Sequence, residues 1–221
     1  MKKYVTVVLA AALFAACSPG KQFTTKDIET SKVKSIAILP VQVNFTGTLP
    51  NKITPAMLDS MKVQQGLAFQ HALEANLLRY SDGKKKISGV SFQSADKTNG
   101  LLTKNNLRLQ DVGSKDPDEL AKLLQVDAVV KMNVNSNRLM SDMASLGLGT
   151  LRNILFWGTN TNPGVSSSIS NKTAEVYADC ALVKDGRTLW TAQYNRETDW
   201  NTSVNDVMNN ITKKIGKGFP Y

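Results

Sequence analysis

Cysteine and histidine are nearly missing from this 221-residue chain, which holds two cysteines, Cys17 and Cys180, and one histidine, His71. So few imidazole and thiol groups exclude a zinc set and a disulfide framework. A Gly-x-Ser-x-Gly elbow, a phosphate loop and a dinucleotide fingerprint are all missing, as are RNA-recognition and zinc-finger spacings. His71 lies in "AFQHALEANLL" with Glu74 at i+3, a spacing that suits a local surface hydrogen bond. Asp116, Asp118 and Glu119 read as helix-capping groups, Asp179 as strand surface and Asp185 as a turn residue. The residues therefore give no catalytic set, no metal ligands and no cofactor. An envelope enzyme would require carboxylates gathered by the fold itself.

Long apolar runs are also lacking. Val5 to Ala16 is a largely apolar stretch of 12 residues behind Lys2 and Lys3. That fits a signal-peptide h-region and falls short of the roughly 20 residues a membrane-spanning helix needs. Leu13-Phe14-Ala15-Ala16-Cys17 then resembles a bacterial lipobox. Small side chains at Ala15 and Ala16 let a peptidase close on the backbone, and residues 1–16 are expected to be removed as a signal peptide. Cys17 is expected to become the acylated N-terminus. The competing readings are an ordinary secretory signal and an uncleaved anchor. No Ala-x-Ala site follows soon after, and Ser18-Pro19-Gly20 opens a tether. Each buried lipid CH2 contributes about 0.8 kcal/mol, so two or three acyl chains make a lasting anchor. By the rule of Gram-negative lipoproteins, Ser18, which is not acidic, points to the outer membrane.

The remaining composition is that of a globular chain, 42% hydrophobic and 20% charged. Its formal charge is +9, a balance that suits anionic headgroups or envelope polymers and equally a solvated surface. Lys84-Lys85-Lys86 follows a helix exit, where cations suit the dipole. Export argues against nucleic acid as a partner. With Cys17 acylated, Cys180 has no partner for an intramolecular disulfide and reads as a buried thiol.

Local patterns place the elements. Residues 17–32 are polar and read as the lipidated N-terminus and a flexible tether. "KVKSIAILPVQV" predicts a strand over about Val33 to Val43, apolar on both faces at Ile36 to Leu39, with pairing weakened at Pro40. Thr54-Pro55 caps a helix to about Tyr80, its stripe formed by Met57, Met61, Phe69, Leu73 and Leu77 with Gln65 as a polar interruption. A short strand covers Ile87 to Gln93, and Ser94 caps a helix over about Ala95 to Asn105. Asp116, Pro117 and Glu119 form a capping-box-like start to a helix bearing Leu120, Leu123 and Leu124. A strand follows at once, with Ala128, Val130, Met132 and Val134 alternating against polar neighbours. Ala174 to Leu182 alternates likewise, Asp185-Gly186 is a hairpin turn, and the return strand puts Trp190, Ala192 and Tyr194 on one face. A last helix runs from about Thr202 to Lys217. The pattern predicts a single α/β domain over 33–221, a mixed β-sheet flanked by helices with a C-terminal β-hairpin followed by a helix.

One stretch does not fit a plain core. "RLMSDMASLGLGTLRNILFWGTNTNPGVSSSISN" forms an apolar insertion at about 139–170, densest from Leu139 to Trp157. Arg152, Gly147 and Gly149 argue against a membrane helix. Leu146, Leu148, Leu151, Ile154, Leu155, Phe156 and Trp157 are the candidate contact residues. They can pack on their own domain, on another subunit, or on a membrane or protein partner.

Four passages, "KSIAILPV", the helix after "ITPAML", "ELAKLLQVDAVVKMNV" and "VYADCALVKDGRTLWTAQY", resemble the CsgG-like and TolB N-terminal-like group of cell-envelope proteins over about Val33 to Lys217. The resemblance implies a lipid-anchored, periplasm-facing envelope component that holds or assembles partners, or helps secretion, without catalysis. Its partners would be the membrane, an envelope protein or further copies of itself. In the curli-secretion branch the region between the two hairpin-like passages contributes membrane-spanning hairpins to an oligomeric outer-membrane channel, which gives the alternative of a channel subunit. "LGLGTLRNILFW" lacks the in-out alternation that a barrel strand needs.

Overall fold

The computed structural model describes residues 21–25, 32–47, 53–81, 89–138, 172–199 and 204–221. Seven strands and four helices follow in order: β1 (Lys21–Thr24), β2 (Ser35–Ile38), β3 (Gln42–Gly47), α1 (Pro55–Ser81), β4 (Ser91–Gln93), α2 (Ala95–Lys104), α3 (Pro117–Leu124), β5 (Ala128–Arg138), β6 (Lys172–Lys184), β7 (Arg187–Asp199) and α4 (Val204–Gly218). A 3-10 turn at Val112–Ser114 precedes α3. The strands form one sheet in the order β1-β7-β6-β5-β2-β4, with β3 also pairing β5. Pairs β1/β7, β7/β6 and β6/β5 are antiparallel, whereas β5/β2, β5/β3 and β2/β4 are parallel. The mixed sheet, flanking helices and closing hairpin-plus-helix agree with the pattern read from sequence.

Helix starts follow their capping groups. The Thr54 hydroxyl accepts from the Met57 amide at 3.3 Å, Ser94 from Lys97 at 3.3 Å and Asp116 from Asp118 at 3.1 Å. The β6–β7 turn places Asp185 at φ 50° and Gly186 at φ 68°, the two left-handed residues that a tight hairpin requires.

Among the described residues the sheet is covered on both faces around β2 and the start of β5. Phe69, Leu73 and Leu77 of α1 pack with Val207, Ile211 and Ile215 of α4 on one face, over Ile36, Val130, Met132, Cys180 and Trp190. On the other face Leu102, Leu120 and Leu124 from α2 and α3 cover Ala37, Leu39 and Val129. β2 is therefore apolar on both sides, while β6 and β7 alternate because one of their faces is open to water.

The expected strand at 33–43 is broken. Leu39 donates its amide to the Val130 carbonyl at 2.9 Å, but Pro40 has no N–H and the ladder stops. Pairing resumes at Gln42 beside Asn133, one residue out of step with the Ile38–Val130 pair, as in a bulge. Helix α1 packs directly on this break. Gly66 is buried there, and a Cβ on it would overlap the Val41 carbonyl oxygen. Helix α1 thus lies close to the sheet at this point because position 66 has no side chain.

Two further contacts hold the same region. Gln70, fully buried, donates to the Ile38 carbonyl at 2.7 Å and exchanges amide hydrogen bonds with Asn99 of α2 at 3.1 and 2.9 Å. At the C-terminus Phe219 is buried against Trp190, ring centroids 5.1 Å apart and planes at 80°, with Phe92 at 6.0 Å. Edge-to-face pairs of this kind add about 0.5–1.5 kcal/mol beyond burial.

One part of the polar stretch at 17–32 has a regular place. Lys21–Thr24 pairs with Trp190 to Gln193 as an edge strand. Cys17 and Leu146, Leu148, Leu151, Ile154, Leu155, Phe156 and Trp157 lie outside the described residues, as do Asp82-Gly83 and the lysine run.

Gly66→Ala should lower stability by about 1–3 kcal/mol through overpacking, read from the urea midpoint. Gly100→Ala, on the exposed side of α2 with open space at its Cβ position, should raise it by up to about 1 kcal/mol.

Candidate functional site

The longest strands end together. Gly47, Arg138, Ala174 and Thr198 fall in successive register across β3, β5, β6 and β7. Strand β5 is described to Arg138 and β6 from Lys172, so the segment between them is rooted on two hydrogen-bonded neighbouring strands about 5 Å apart. β1 runs antiparallel to β7, with Lys21 opposite Gln193, so its N-terminus points toward this same end. The distance along β7 from Gln193 to Thr198 is about 17 Å at the usual strand rise. Strand β1 therefore runs back, from Thr24 to Lys21, toward the end of the sheet that holds both roots of the segment bearing Leu146 to Trp157.

The uncovered face beside this end is polar. Asn44, Asn135, Gln193 and Asn195 are exposed, and Tyr177 is 38% exposed. The Tyr177 hydroxyl donates to Glu175 Oε2 at 2.8 Å. These amides and hydroxyls can accept and donate hydrogen bonds.

A cleft of ≈ 240 Å³ opens at the Pro40 break, lined by Val41, Gln42, Asn44, Asp59, Lys62, Leu109 and Asp111. Its charges are matched within the chain: Lys62 lies 3.4 Å from Asp59 and Arg108 2.7 Å from Asp111. Gln42 Nε2 donates to the Pro40 and Leu109 carbonyls at 3.3 and 3.4 Å, tying the break to the loop before the 3-10 turn. Among the described residues no three His, Cys, Asp or Glu side chains are placed to hold a metal ion, and no helix is long and apolar enough to cross a membrane.

His71 departs from its expected hydrogen bond. It lies 3.8 Å from Glu74 Oε2 and 3.8 Å from Asp96 Oδ1, half exposed. Both distances exceed a hydrogen bond. Glu74 instead accepts from the Ala95 amide at 3.3 Å, at the start of α2. A carboxylate suits the partly positive N-terminus of a helix, so the helix start wins over the imidazole.

Cys180 sits as expected on the buried face of β6. Burial drives its thiol far above the ordinary range; the Ala181 amide opposes this weakly and the Asp179 charge adds to it. The protonated thiol is a packing group and not a nucleophile.

Asp127 is the polar residue that pattern reading passed over. Its Oδ2 accepts from the Lys34 and Ser35 amides at 2.9 Å each and from the Ser35 hydroxyl at 3.0 Å. The Asp127 amide in turn donates to the Ser35 carbonyl at 3.1 Å. Partial burial pushes this carboxyl upward, but the two amides, the hydroxyl and the Lys184 charge together outweigh it and hold it below its ordinary value of 3.8. The signal available in the sequence was an aspartate directly before a valine-rich strand. Its partners stand more than ninety residues away.

Comparison with known proteins returns likenesses of fold only. No family model matches the chain, and no curated protein matches it. Among solved structures it is similar to the PelC dodecamer from Paraburkholderia phytofirmans (10% identity, 91% of this chain and 96% of that one, TM-score 0.44). It is also similar to lipoprotein GNA1162 from Neisseria meningitidis (15% identity, 82% and 94%, TM-score 0.45). The LpoB C-terminal domain from Salmonella enterica is a more distant likeness (11% identity, 75% and 84%, TM-score 0.33).

Asp127→Ala should cost about 1 kcal/mol at neutral pH, a figure reduced for the solvent access of the site. Because the folded-state value is depressed, the contribution is full above the unfolded value and is lost as pH falls through the folded one. The difference between wild type and variant should therefore shrink below about pH 4 in urea titrations. A difference unchanged down to pH 2 would contradict the ionised pin.

Proposed function

We propose that this chain is an outer-membrane lipoprotein acylated at Cys17, facing the periplasm. Its α/β domain acts without catalysis as a scaffold, assembly or secretion-accessory component of the envelope. The apolar residues Leu146, Leu148, Leu151, Ile154, Leu155, Phe156 and Trp157 make the contact with a partner protein or a second copy. The observation that carries this reading is the convergence at one end of the sheet: β1 leads back toward Cys17 at the end from which 139–171 emerges. A lipid anchor and an apolar excursion at one end suit a domain that presents a partner-binding element near the membrane. The internally matched charges of the cleft and the protonated Cys180 support a role without chemistry.

A second reading, a ring-forming channel subunit of the CsgG-like kind, is favoured by the insertion's position between β5 and β6. The group it resembles carries its membrane hairpins there. Full-length protein in detergent separates the two: large rings support the channel, monomers or small oligomers the scaffold.

Cys17→Ala should move the protein from the membrane to the soluble fraction and abolish lipid labelling. Membrane retention without label would sink the anchor. Deleting Leu146 to Trp157 should abolish association while shifting stability by less than about 1 kcal/mol, as surface changes do. Global unfolding of that variant would place the segment in the core.

A further inference from the structure

We infer that the β1 edge of the sheet rests on the bilayer, with Phe23 in the headgroup layer and Lys21 and Lys214 against anionic lipid. This inference rests on the acylation of Cys17 proposed above. The first observation is chain length. Residues 18–20 alone separate Cys17 from Lys21, where β1 begins. At about 3.5 Å per residue the two Cα atoms are at most about 14 Å apart. A tether running to Val33 would have reached about 55 Å and left the domain free to turn. Pairing of Lys21–Thr24 with β7 removes that freedom and brings this edge down to the lipid.

The second observation is what the edge presents. All four β1 residues are exposed. Phe23 is 65% exposed, more than any other large apolar residue among those described. Lys21 and Phe23 lie on the sheet's open face, opposite Gln193 and Thr191. On the other side of the same edge the Lys214 ammonium stands 4.9 Å from the Tyr194 ring centroid, one residue along β7 from Lys21's partner. The Gln22 side chain lies against Gly218 at the end of helix α4, with no room for a Cβ between them. Two cations therefore straddle the strand at the end nearest the anchor. Asp179 is the carboxylate on that rung, two strands inward from Lys21, about 10 Å away. An aromatic ring flanked by cations is the composition that seats at an anionic interface. Among the described residues no strand pairs the outer edge of β1, so its amides are placed to donate to lipid phosphates.

A nitroxide at Phe23→Cys in the full-length lipidated protein tests this, with Thr103→Cys on exposed α2 as the reference. Cys17 is blocked by acylation and Cys180 is buried, so the introduced thiol takes the label. In phosphatidylethanolamine vesicles containing phosphatidylglycerol, collisions with oxygen should exceed those with a water-soluble nickel complex at position 23. The order should reverse at position 103. Adding Lys21→Glu and Lys214→Glu should raise nickel access at 23, and so should replacing the anionic lipid by phosphatidylcholine. Equal nickel access at both positions in an acylated protein overturns this inference alone. Dipolar broadening at 23 would mean that a second copy covers the edge, and overturns it likewise. An N-terminal mass without acyl chains overturns the anchoring and this orientation together.

Discussion

Strand β5 hydrogen-bonds along both edges, parallel to β2 and then β3 on one side and antiparallel to β6 on the other. Everything else is arranged by that two-sided pairing. The parallel pairing with β2 is buried on both faces, because α1 covers one face there and α2 and α3 cover the other. The antiparallel side needs no crossover, so β6 and β7 extend beyond the helices and keep one face wet. The change of environment occurs within single strands: Val129 is covered by α2 and α3, while Asn135, on the same side of β5, is exposed. Asp127 stands at the origin of this pairing. By accepting from the Lys34 and Ser35 amides it pins β2 against β5 just ahead of the first ladder pair, Ile36 with Ala128. A one-residue slip there would turn each of β2's side chains to the opposite face.

Most of the elements were legible because their signals are local. The N-caps at Thr54, Ser94 and Asp116 and the Asp185-Gly186 turn each need only a few neighbouring residues to act. The alternation in β5 to β7 was legible because one of their faces is wet. What sequence could not show depends on distant partners. Lys21–Thr24 is too short and too polar to alternate, and its strand character comes entirely from β7. Gln70 looks like a surface helix residue until the Ile38 carbonyl and Asn99 are brought to it. Phe219 follows a helix exit, and only the fold places Phe92 and Trp190 beside it. The strand break at Pro40 was legible as chemistry, but its accommodation by Gly66 was not, since the two are joined only by helix packing. Of the candidate site, the sequence supplied the residues of the apolar insertion and Cys17. The fold contributed the shared end of the sheet at which their attachments converge.

The charge pattern of the domain follows the same division. Around the Pro40 cleft, acids and bases are matched at 2.7–3.4 Å. Surface pairs of this kind contribute little to stability, about 0–1 kcal/mol each, but they leave the cleft without a net field to draw a charged ligand. Lys21 stands apart from these pairs on the β1 edge, and Lys214 is held over Tyr194 by its cation–π contact.

Anchor length then decides what the sheet end can do. On the proposed acylation at Cys17, a 16-residue leash would let the insertion sample a shell some tens of ångströms deep, and its local concentration at any membrane partner would fall steeply with leash length. With β1 paired, the leash shortens to residues 18–20, and the roots of 139–171 are held within about 36 Å of the anchor, from the chain length, the strand rise and the strand spacing together. The contacts proposed for Leu146 to Trp157 would then be made close to the bilayer, where a partner confined to the membrane is already concentrated. Four residues of edge strand, contributing little to the core, convert a flexible tether into a fixed mount. Their loss would leave the domain folded around β5 but return the insertion to the reach of a long leash, so affinity for a membrane partner would decline without any contact residue having changed.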